Sequence, residues 1–327
     1  MKYDVVVLTE PIAEGGMRLL RDEFREVRLA SNLTETQLCE TVSDAQAIVT
    51  RLTKVTRKMI ESARHLKVVV RHGVGVDNID LEAATEHGVQ VVYTPEGLSV
   101  SVAEFTIGTI LTLLKRIREA DAAVRGGNWN ARYTDLVGTE LFGKTVGIVG
   151  LGRIGIEVAK RLRALAVELV YNDIVRQPEA ETEVPVRFVP LDTLLKRSDI
   201  VCLHVPGTKE TFHMIGKSEL AMMKPGAVLV NMSRGMVVDE IALTEALSSG
   251  GLDGVALDVF ENEPLPSDSP LVQFPNVLLS PHMSAHTKEA LERTAVEVAV
   301  AVKTALAGKT MRYLANPEVL KLTNLRR

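Results

Sequence analysis

Short runs of apolar, often β-branched residues recur along the chain, and stretches with helical periodicity separate them. In the first hundred residues, predicted strands lie at Tyr3–Leu8, Ala47–Val49, Lys67–Val70 and Val89–Tyr93, with a predicted helix at Gly16–Glu26. Strands that are apolar throughout and alternate with helices are typical of parallel sheets with helices on both faces. The pattern therefore predicts an α/β fold.

A long helical pattern at Ser99–Arg118 is followed by a second series of the same kind. This second series contains predicted strands at Thr145–Val149, Leu169–Asn172, Val186–Val189, Ile200–Val205, Ala227–Asn231, Gly254–Val259 and Val277–Ser280, and predicted helices at Arg153–Leu165 and Ala285–Ala307. Because 327 residues exceed what one compact core usually holds, we expect two doubly wound parallel-sheet domains.

Composition and charge exclude several classes of protein. The net charge of −4 provides no basic stripe for a nucleic acid, and no apolar run approaches the ~18–20 residues of a membrane span. The apolar run before Glu10 is too short for a signal peptide. Two cysteines, Cys39 and Cys202, make neither a disulfide framework nor a zinc site. We expect a cytoplasmic protein without a metal.

The sharpest local motif is Gly150-Leu-Gly152-Arg-Ile-Gly155, which lies between a predicted strand and a predicted helix. In such turns the glycines permit the tight bend, the close approach of a pyrophosphate and the packing of helix on strand. Asp173 ends the next strand, where a carboxylate accepts ribose hydroxyls of NAD and repels the 2′-phosphate of NADP. The motif predicts an NAD site, although Arg176 nearby would weaken this preference. A purely structural turn is the alternative.

Seven short motifs, in this order, resemble the D-isomer-specific 2-hydroxyacid dehydrogenase family. They lie at Gly73–Asp80, Ser101–Glu104, Gly147–Gly155, Leu203–Pro206, Asn231–Gly235, Asp258–Pro264 and Ser280–His282. The resemblance implies a flavodoxin-like substrate domain made of residues 1–98 and 288–327. A Rossmann NAD domain at 99–287 would be inserted into it, with the active site in the cleft. It also implies a homodimer, with the long helix near Ser99–Arg118 contributing to the interface.

Three side chains at predicted strand ends suit the oxidation of a 2-hydroxy acid. His282 would exchange the hydroxyl proton, because an imidazole titrates near neutral pH. Glu263 would orient it and favour its charged form, and Arg234 would hold the substrate carboxylate. The carboxyl ends of parallel strands share one edge of a sheet, so we expect these groups to converge. The family's catalytic histidine, glutamate and arginine match these residues. A core histidine, a solvated loop acid and a surface arginine are the alternatives.

Further site residues follow from the motifs. The other predicted cofactor ligands are Arg153, Ile154, His204, Val205, Pro206, Met232, Ser233 and Asp258. Asp258 matches the family residue that holds the nicotinamide carboxamide.

Predicted substrate ligands lie in the first domain. The turn at Val74 and Gly75 resembles the family loop whose amides bind the substrate carboxylate. Arg51 and Arg71 resemble the arginines that meet the phosphate in 3-phosphoglycerate dehydrogenases, although two solvated arginines are the alternative. Leu98 and His72 depart from the usual family pattern.

The sequence therefore predicts an NAD-dependent oxidoreductase that acts on a small anionic D-2-hydroxy or 2-oxo acid, with 3-phosphoglycerate as one candidate. A glyoxylate or hydroxypyruvate reductase is an alternative. A dinucleotide-sensing, corepressor-like binding protein is another, and oxidation of formate or phosphite is the remaining one.

Overall fold

The computed structural model describes residues 2–326, which form two compact units. One unit contains the chain up to Leu98 and from His286 onward, and the other contains Ser99–Ala285. The assignment of the first to substrate and of the second to cofactor stays a prediction at this point. Within residues 2–326, no helix has the length and apolar character needed to cross a membrane.

The first unit is built on a five-stranded sheet in which every pairing is parallel. Its strands are β1 (Tyr3–Leu8), β2 (Phe24–Leu29), β3 (Ala47–Thr50), β4 (Val68–Arg71) and β5 (Gln90–Tyr93), and its first helices are α1 (Glu14–Glu23), α2 (Glu35–Thr41), α3 (Arg57–Ser62) and α4 (Leu81–Glu86). The order β2-β1-β3-β4-β5 is that of flavodoxin-like sheets. The central strands are buried on both faces, which explains their continuous apolar sequence.

The second unit is built on a seven-stranded sheet whose pairings are also all parallel. Its strands are β6 (Thr145–Val149), β7 (Glu168–Asn172), β8 (Arg187–Phe188), β9 (Ile200–Leu203), β10 (Ala227–Asn231), β11 (Leu252–Leu257) and β12 (Val277–Leu279). Its helices are α5 (Ser99–Leu114), α6 (Ile117–Arg125), α7 (Arg153–Arg163), α8 (Pro178–Glu183), α9 (Leu191–Arg197), α10 (Lys217–Met222) and α11 (Glu240–Ser248). The order β12-β11-β10-β9-β6-β7-β8 reverses direction between β6 and β9, where doubly wound folds bind ligands. The fold class is therefore confirmed as α/β.

The chain returns to the first unit through α12 (Lys288–Leu306), which begins after the expected Ala285. The hydroxyl of Thr287 caps it by accepting the amide hydrogen of Ala290. The buried face of α12 packs against α1 and the sheet.

The predicted helix Gly16–Glu26 extends too far. The helix ends at Glu23, and Phe24 begins β2, an edge strand that the sequence analysis missed. The ring of Phe24 is buried and packs against the ring of Tyr3, with centroids 5.5 Å apart. Charged residues dominate the rest of this edge, as is usual for exposed edge strands, so its local sequence lacks an apolar run.

The predicted long helix Ser99–Arg118 is in fact two helices. Helix α5 ends at Leu114, and Arg116 adopts a left-handed conformation (φ 50°) before α6 begins. The amide of Thr139 donates to the carbonyl of Leu114 at 2.8 Å. A segment more than twenty residues away therefore caps the end of α5, and local periodicity carries no sign of such a contact.

Candidate active site

Three neighbouring strands of the second unit place the predicted catalytic residues. Strands β10, β11 and β12 pair so that Asn231, Leu257 and Leu279 lie side by side at their carboxyl ends. Arg234, Glu263 and His282 follow the ends of β10, β11 and β12, respectively. Nδ1 of His282 lies 2.8 Å from Oε2 of Glu263. The structure thus brings the histidine and the carboxylate into direct contact.

The backbone at His282 is held in a conformation that only a few per cent of non-glycine residues adopt, with φ 50°. Its amide donates to the carbonyl of Asp258 at 2.8 Å. The fully buried carboxylate of Asp258 accepts the hydroxyl of Ser280 at 2.6 Å and the amides of Met283 and Ser284 at 2.8 Å each. Asp258 therefore fixes the turn that presents His282. Its expected contact with nicotinamide stays a prediction.

The charge on Glu263 is stabilised by its surroundings. Burial raises the pKa of the carboxyl, but the hydrogen bond and charge of His282, the amide of Phe260 and the charge of Arg234 together lower that pKa below its ordinary value. The carboxylate is therefore charged at neutral pH and accepts a hydrogen bond from the Nδ1–H of His282. This leaves Nε2 of the ring for proton exchange.

The loops that carry Arg234 and Glu263 touch at Gly235. A Cβ atom at Gly235 would lie 1.9 Å from the carbonyl carbon of Phe260 and 2.4 Å from the amide nitrogen of Glu261. Both neighbours are backbone atoms, so no side-chain rotation would relieve the clash. A glycine is therefore required at this position for the two loops to approach so closely.

A second contact between these two loops was not anticipated from the sequence. The amide of Glu240 donates to the Glu261 carboxylate at 3.0 Å, and the amide of Glu261 donates to the Glu240 carboxylate at 2.8 Å. Nε2 of His213 lies 3.1 Å from Glu261. The only signal in the sequence was an acid at the first position of α11, which a helix N-terminus already favours.

The glycine motif forms the expected turn between β6 and α7. Gly150 has φ +93°, and a Cβ there would lie 2.8 Å from the carbonyl carbon of His204, at the end of β9. A Cβ at Gly152 would meet nothing within 4 Å, so the backbone is open to a ligand there. The carboxylate of Asp173 accepts the amide of Leu151 at 2.8 Å. The acid and the turn therefore form one assembly, which fits a dinucleotide.

The other predicted cofactor residues lie at the start of α7 and after strands β9 and β10. Arg153 and Pro206 are exposed, Ile154 and Val205 are half-buried, and Gly155, Met232 and Ser233 are buried. Both ring nitrogens of His204 are buried and have no hydrogen-bond partner among residues 2–326. Burial lowers the pKa of His204 to about 4, so the ring is neutral at physiological pH.

Arg71 in the first unit forms hydrogen bonds with its own turn, which the sequence did not predict. Its Nε donates to the carbonyl of Gly75 at 2.7 Å, and its Nη1 donates to the carbonyl of His72 at 2.6 Å. The guanidinium thus clasps the turn that contains Val74, whose side chain is exposed. Arg71 stabilises the predicted carboxylate-binding turn, and its predicted contact with a phosphate stays untested.

Arg51 follows β3 in a loop that Glu10 organises. The Glu10 carboxylate accepts the amides of Arg51 at 2.8 Å and Thr53 at 2.6 Å, and sequence analysis had given it no role. Nη2 of Arg51 lies 3.3 Å from Nε2 of His286. Burial, and next the charge of Arg51, lower the pKa of His72 to about 4. Glu10 is therefore the residue that positions Arg51.

Comparisons with known proteins agree with this arrangement. The family model for the D-isomer specific 2-hydroxyacid dehydrogenase NAD binding domain matches residues 107–284, more than half of the chain. A glyoxylate reductase of Thermofilum pendens is 43% identical over 327 residues, covering 98% of this chain and 96% of that protein. A D-3-phosphoglycerate dehydrogenase of Methanocaldococcus jannaschii is also 43% identical over 313 residues, and these cover 95% of this chain but 59% of that longer protein.

Among solved structures, a D-lactate dehydrogenase from Aquifex aeolicus in complex with NAD and lactic acid superposes with a TM-score of 0.83. Its sequence is 30% identical, and the match covers 97% of each chain. Family model, relatives and fold agree with one another. The chain belongs to the D-isomer-specific 2-hydroxyacid dehydrogenase family and is an NAD-dependent oxidoreductase of that family.

Proposed function

We propose that His282, Glu263 and Arg234 carry out the proton transfer and substrate binding of this dehydrogenase. The observation that carries the proposal is the 2.8 Å contact between His282 Nδ1 and Glu263 Oε2. The charged Glu263 stabilises the imidazolium form of His282. In the direction of reduction, Nε2 of that imidazolium protonates the carbonyl oxygen of a 2-oxo acid, and in oxidation Nε2 removes the hydroxyl proton. The planar guanidinium of Arg234 binds the substrate carboxylate through paired N–H donors.

When bound, NAD would supply the hydride acceptor or donor for C2 of the substrate. The glycine turn and Asp173 would bind the cofactor. Gly152 leaves the backbone open to the pyrophosphate, and Asp173 would accept the adenosine ribose hydroxyls. His204 follows β9 and Asp258 follows β11, the two strands on either side of β10, and we assign both residues to the same pocket. The Ser99–Ala285 unit is accordingly the cofactor domain, and the other unit is the substrate domain.

For the substrate, we propose a small unphosphorylated 2-oxo acid such as glyoxylate or hydroxypyruvate, reduced to the corresponding 2-hydroxy acid. Arg71 is engaged with the carbonyls of His72 and Gly75, so what the turn offers an anion is the amides of Val74 and Gly75. Such a turn suits a carboxylate. The relatives named glyoxylate reductase match this chain over nearly their whole length.

3-Phosphoglycerate is the second candidate, and one observation favours it. Burial is the main cause of the lowered pKa of His72, and the charges of Arg51, Arg71 and His286 lower it further, so these four residues lie close together. A concentration of positive potential in the substrate domain suits a doubly charged group such as a phosphate. Replacing Arg51 by Ala separates the candidates. A phosphate ligand predicts a far larger loss of kcat/KM with 3-phosphoglycerate than with glyoxylate.

We also propose that the protein is a homodimer. Helix α5 is mostly covered by α7 and β11, but the segment that follows it exposes large apolar side chains. These are Ile117, Val124, Trp129, Tyr133, Val137 and Phe142. Apolar groups of this size and number are costly to leave in water, and a second copy would cover them.

Cytoplasmic location is proposed because both cysteines are free and buried thiols.

Turnover tests the proposal directly. We expect wild-type protein to oxidise NADH with glyoxylate or hydroxypyruvate. His282→Ala should lower kcat by about 10²–10⁴-fold, the usual contribution of a general acid, with the NADH dissociation constant nearly unchanged. His65→Ala, at an exposed histidine of the first unit, is the control and should leave kcat unaltered. Loss of NADH binding together with turnover in His282→Ala would contradict the assigned role.

A further inference from the structure

Arg176 forms a bidentate ion pair with Glu181. Its Nε donates to Oε1 at 2.8 Å, and its Nη2 donates to Oε2 at 2.7 Å. Both N–H groups along one edge of the guanidinium are therefore directed at one carboxylate. This is the geometry that gives arginine its strongest contacts with carboxylates and phosphates alike.

The position of Arg176 gives this pair a consequence for cofactor binding. Arg176 is the third residue after Asp173, in the loop that leaves the carboxyl end of β7. An arginine in this loop of a dinucleotide-binding fold is the usual ligand of the 2′-phosphate of NADP. The same edge of the guanidinium cannot bind Glu181 and a phosphate at once.

Glu181 is itself held in place from the sheet. The hydroxyl of Tyr171, whose side chain is fully buried in β7, donates to Oε1 of Glu181 at 2.7 Å and accepts the amide of Gln177 at 2.8 Å. The Glu181 side chain is 17% exposed, whereas that of Arg176 is 64% exposed. The hydrogen bonds from Arg176 and Tyr171 lower the pKa of Glu181 to about 2, so the carboxylate stays charged at neutral pH. The anchored member of the pair is the acid, and the exposed member is the arginine.

We propose that Glu181 is a cofactor-specificity residue, which withholds the Arg176 guanidinium from the 2′-phosphate of NADP. In this arrangement Asp173 disfavours the phosphate by its charge, and Glu181 engages a nearby cation, Arg176, that would compensate. The inference rests on the proposed role of Asp173 at the ribose. It also reverses the expectation from the sequence that Arg176 weakens the preference for NAD.

The test measures dissociation constants of NADH and NADPH by calorimetry, so it does not depend on turnover. Glu181→Gln keeps the size of the side chain and an acceptor for Tyr171, but removes the charge that holds Arg176. We expect the ratio of the NADPH to the NADH dissociation constant to fall about five-fold, the effect of releasing one exposed ion pair. Glu181→Asp, which keeps the charge but shortens the reach, should change the ratio in the same direction and serves if Glu181→Gln does not fold.

Two further variants decide whether Arg176 is the cause. Arg176→Ala alone should leave the ratio within two-fold of wild type, because the guanidinium is already occupied. In Glu181→Gln/Arg176→Ala the ratio should return to the wild-type value. A ratio that stays low in the double variant, or that rises about five-fold in Arg176→Ala, would overturn the proposal.

Glu179→Gln is the charge-matched control, since Glu179 is an exposed acid two residues earlier on α8. We expect it to leave the ratio unchanged, and an equal fall would show a general charge effect that contradicts the proposal. Failure of the dehydrogenase assignment would show differently, as absence of turnover with every 2-oxo acid. The dissociation constants would report on Glu181 in either case.

Discussion

Replacing Gly235 by Ala is the sharpest test of how the catalytic residues are held together. The new Cβ would lie 1.9 Å from the carbonyl carbon of Phe260, whereas ordinary contact begins at 3.4 Å. The two loops would have to separate by about 1.5 Å, the difference between these distances. Phe260 is buried in the core of the unit and resists the shift, so the separation would displace Glu263 relative to Arg234 and His282.

The expected loss follows from that displacement. Misplacing a catalytic group by about 1 Å typically costs about 10²-fold in rate, and we expect kcat to fall by this factor in Gly235→Ala. Forcing a methyl group into packed structure should lower the free energy of unfolding by about 1–3 kcal/mol. The NADH dissociation constant should change less than kcat, because the Gly150 turn belongs to neither of the two loops.

The assay combines steady-state turnover with glyoxylate, NADH binding and thermal unfolding. Gly251→Ala is the matched control, because a Cβ there would have its nearest contact at an ordinary 3.4 Å. It should keep kcat near the wild-type value. A folded Gly235→Ala protein with kcat within two-fold of wild type would refute the argument that the two loops must touch.

Three further predictions concern carboxylates. Asp173→Ala should raise the dissociation constant of NADH relative to that of NADPH, and an unchanged ratio in calorimetry would contradict a ribose contact. Glu263→Gln should lower kcat about 100-fold at pH 7 with NADH binding intact, because His282 loses its charged partner; equal kcat in both proteins would exclude that role. Glu10→Gln should lower the free energy of unfolding by about 1–3 kcal/mol at pH 7, because the loop at Arg51 loses charged hydrogen bonds. Burial raises the pKa of Glu10, but its hydrogen bonds outweigh this effect and lower that pKa below 4.5. The extra stability of the wild type over Glu10→Gln is therefore present above pH 4.5 and is lost as pH falls through the folded-state pKa. Urea unfolding at pH 7 and under acid conditions measures it, and an advantage that persists in acid would count against the assignment.

The strands and the convergence of strand ends were predictable because each depends on a regular rule. Thr145–Val149 and Ala227–Asn231 coincide with the observed β6 and β10, since a fully buried strand is apolar at every position. Glu263 and His282 were expected to meet because neighbouring parallel strands end at the same edge. Their 2.8 Å contact fulfils that geometric expectation, while their chemical roles await the experiments above.

The errors share a different cause. Strand β2 has a charged edge, and α5 ends where a distant amide reaches its last carbonyl. In each case the deciding partner is far along the chain or depends on the shape of a loop. Residue type and spacing carry little information about such partners.

The amino-acid sequence by itself determined the α/β class, the glycine turn with Asp173, and the set of strand-end residues that we propose as the active site. These features follow from periodicity and from residue chemistry, and both can be recognised from residues that are close together in the sequence. Only the tertiary structure decided which groups donate hydrogen bonds to each carboxylate. These donors are Arg176 for Glu181, the loop amides for Glu10, and the amides of Met283 and Ser284 for Asp258. Hydrogen bonds act over about 3 Å, so their partners are selected by the folded path of the chain.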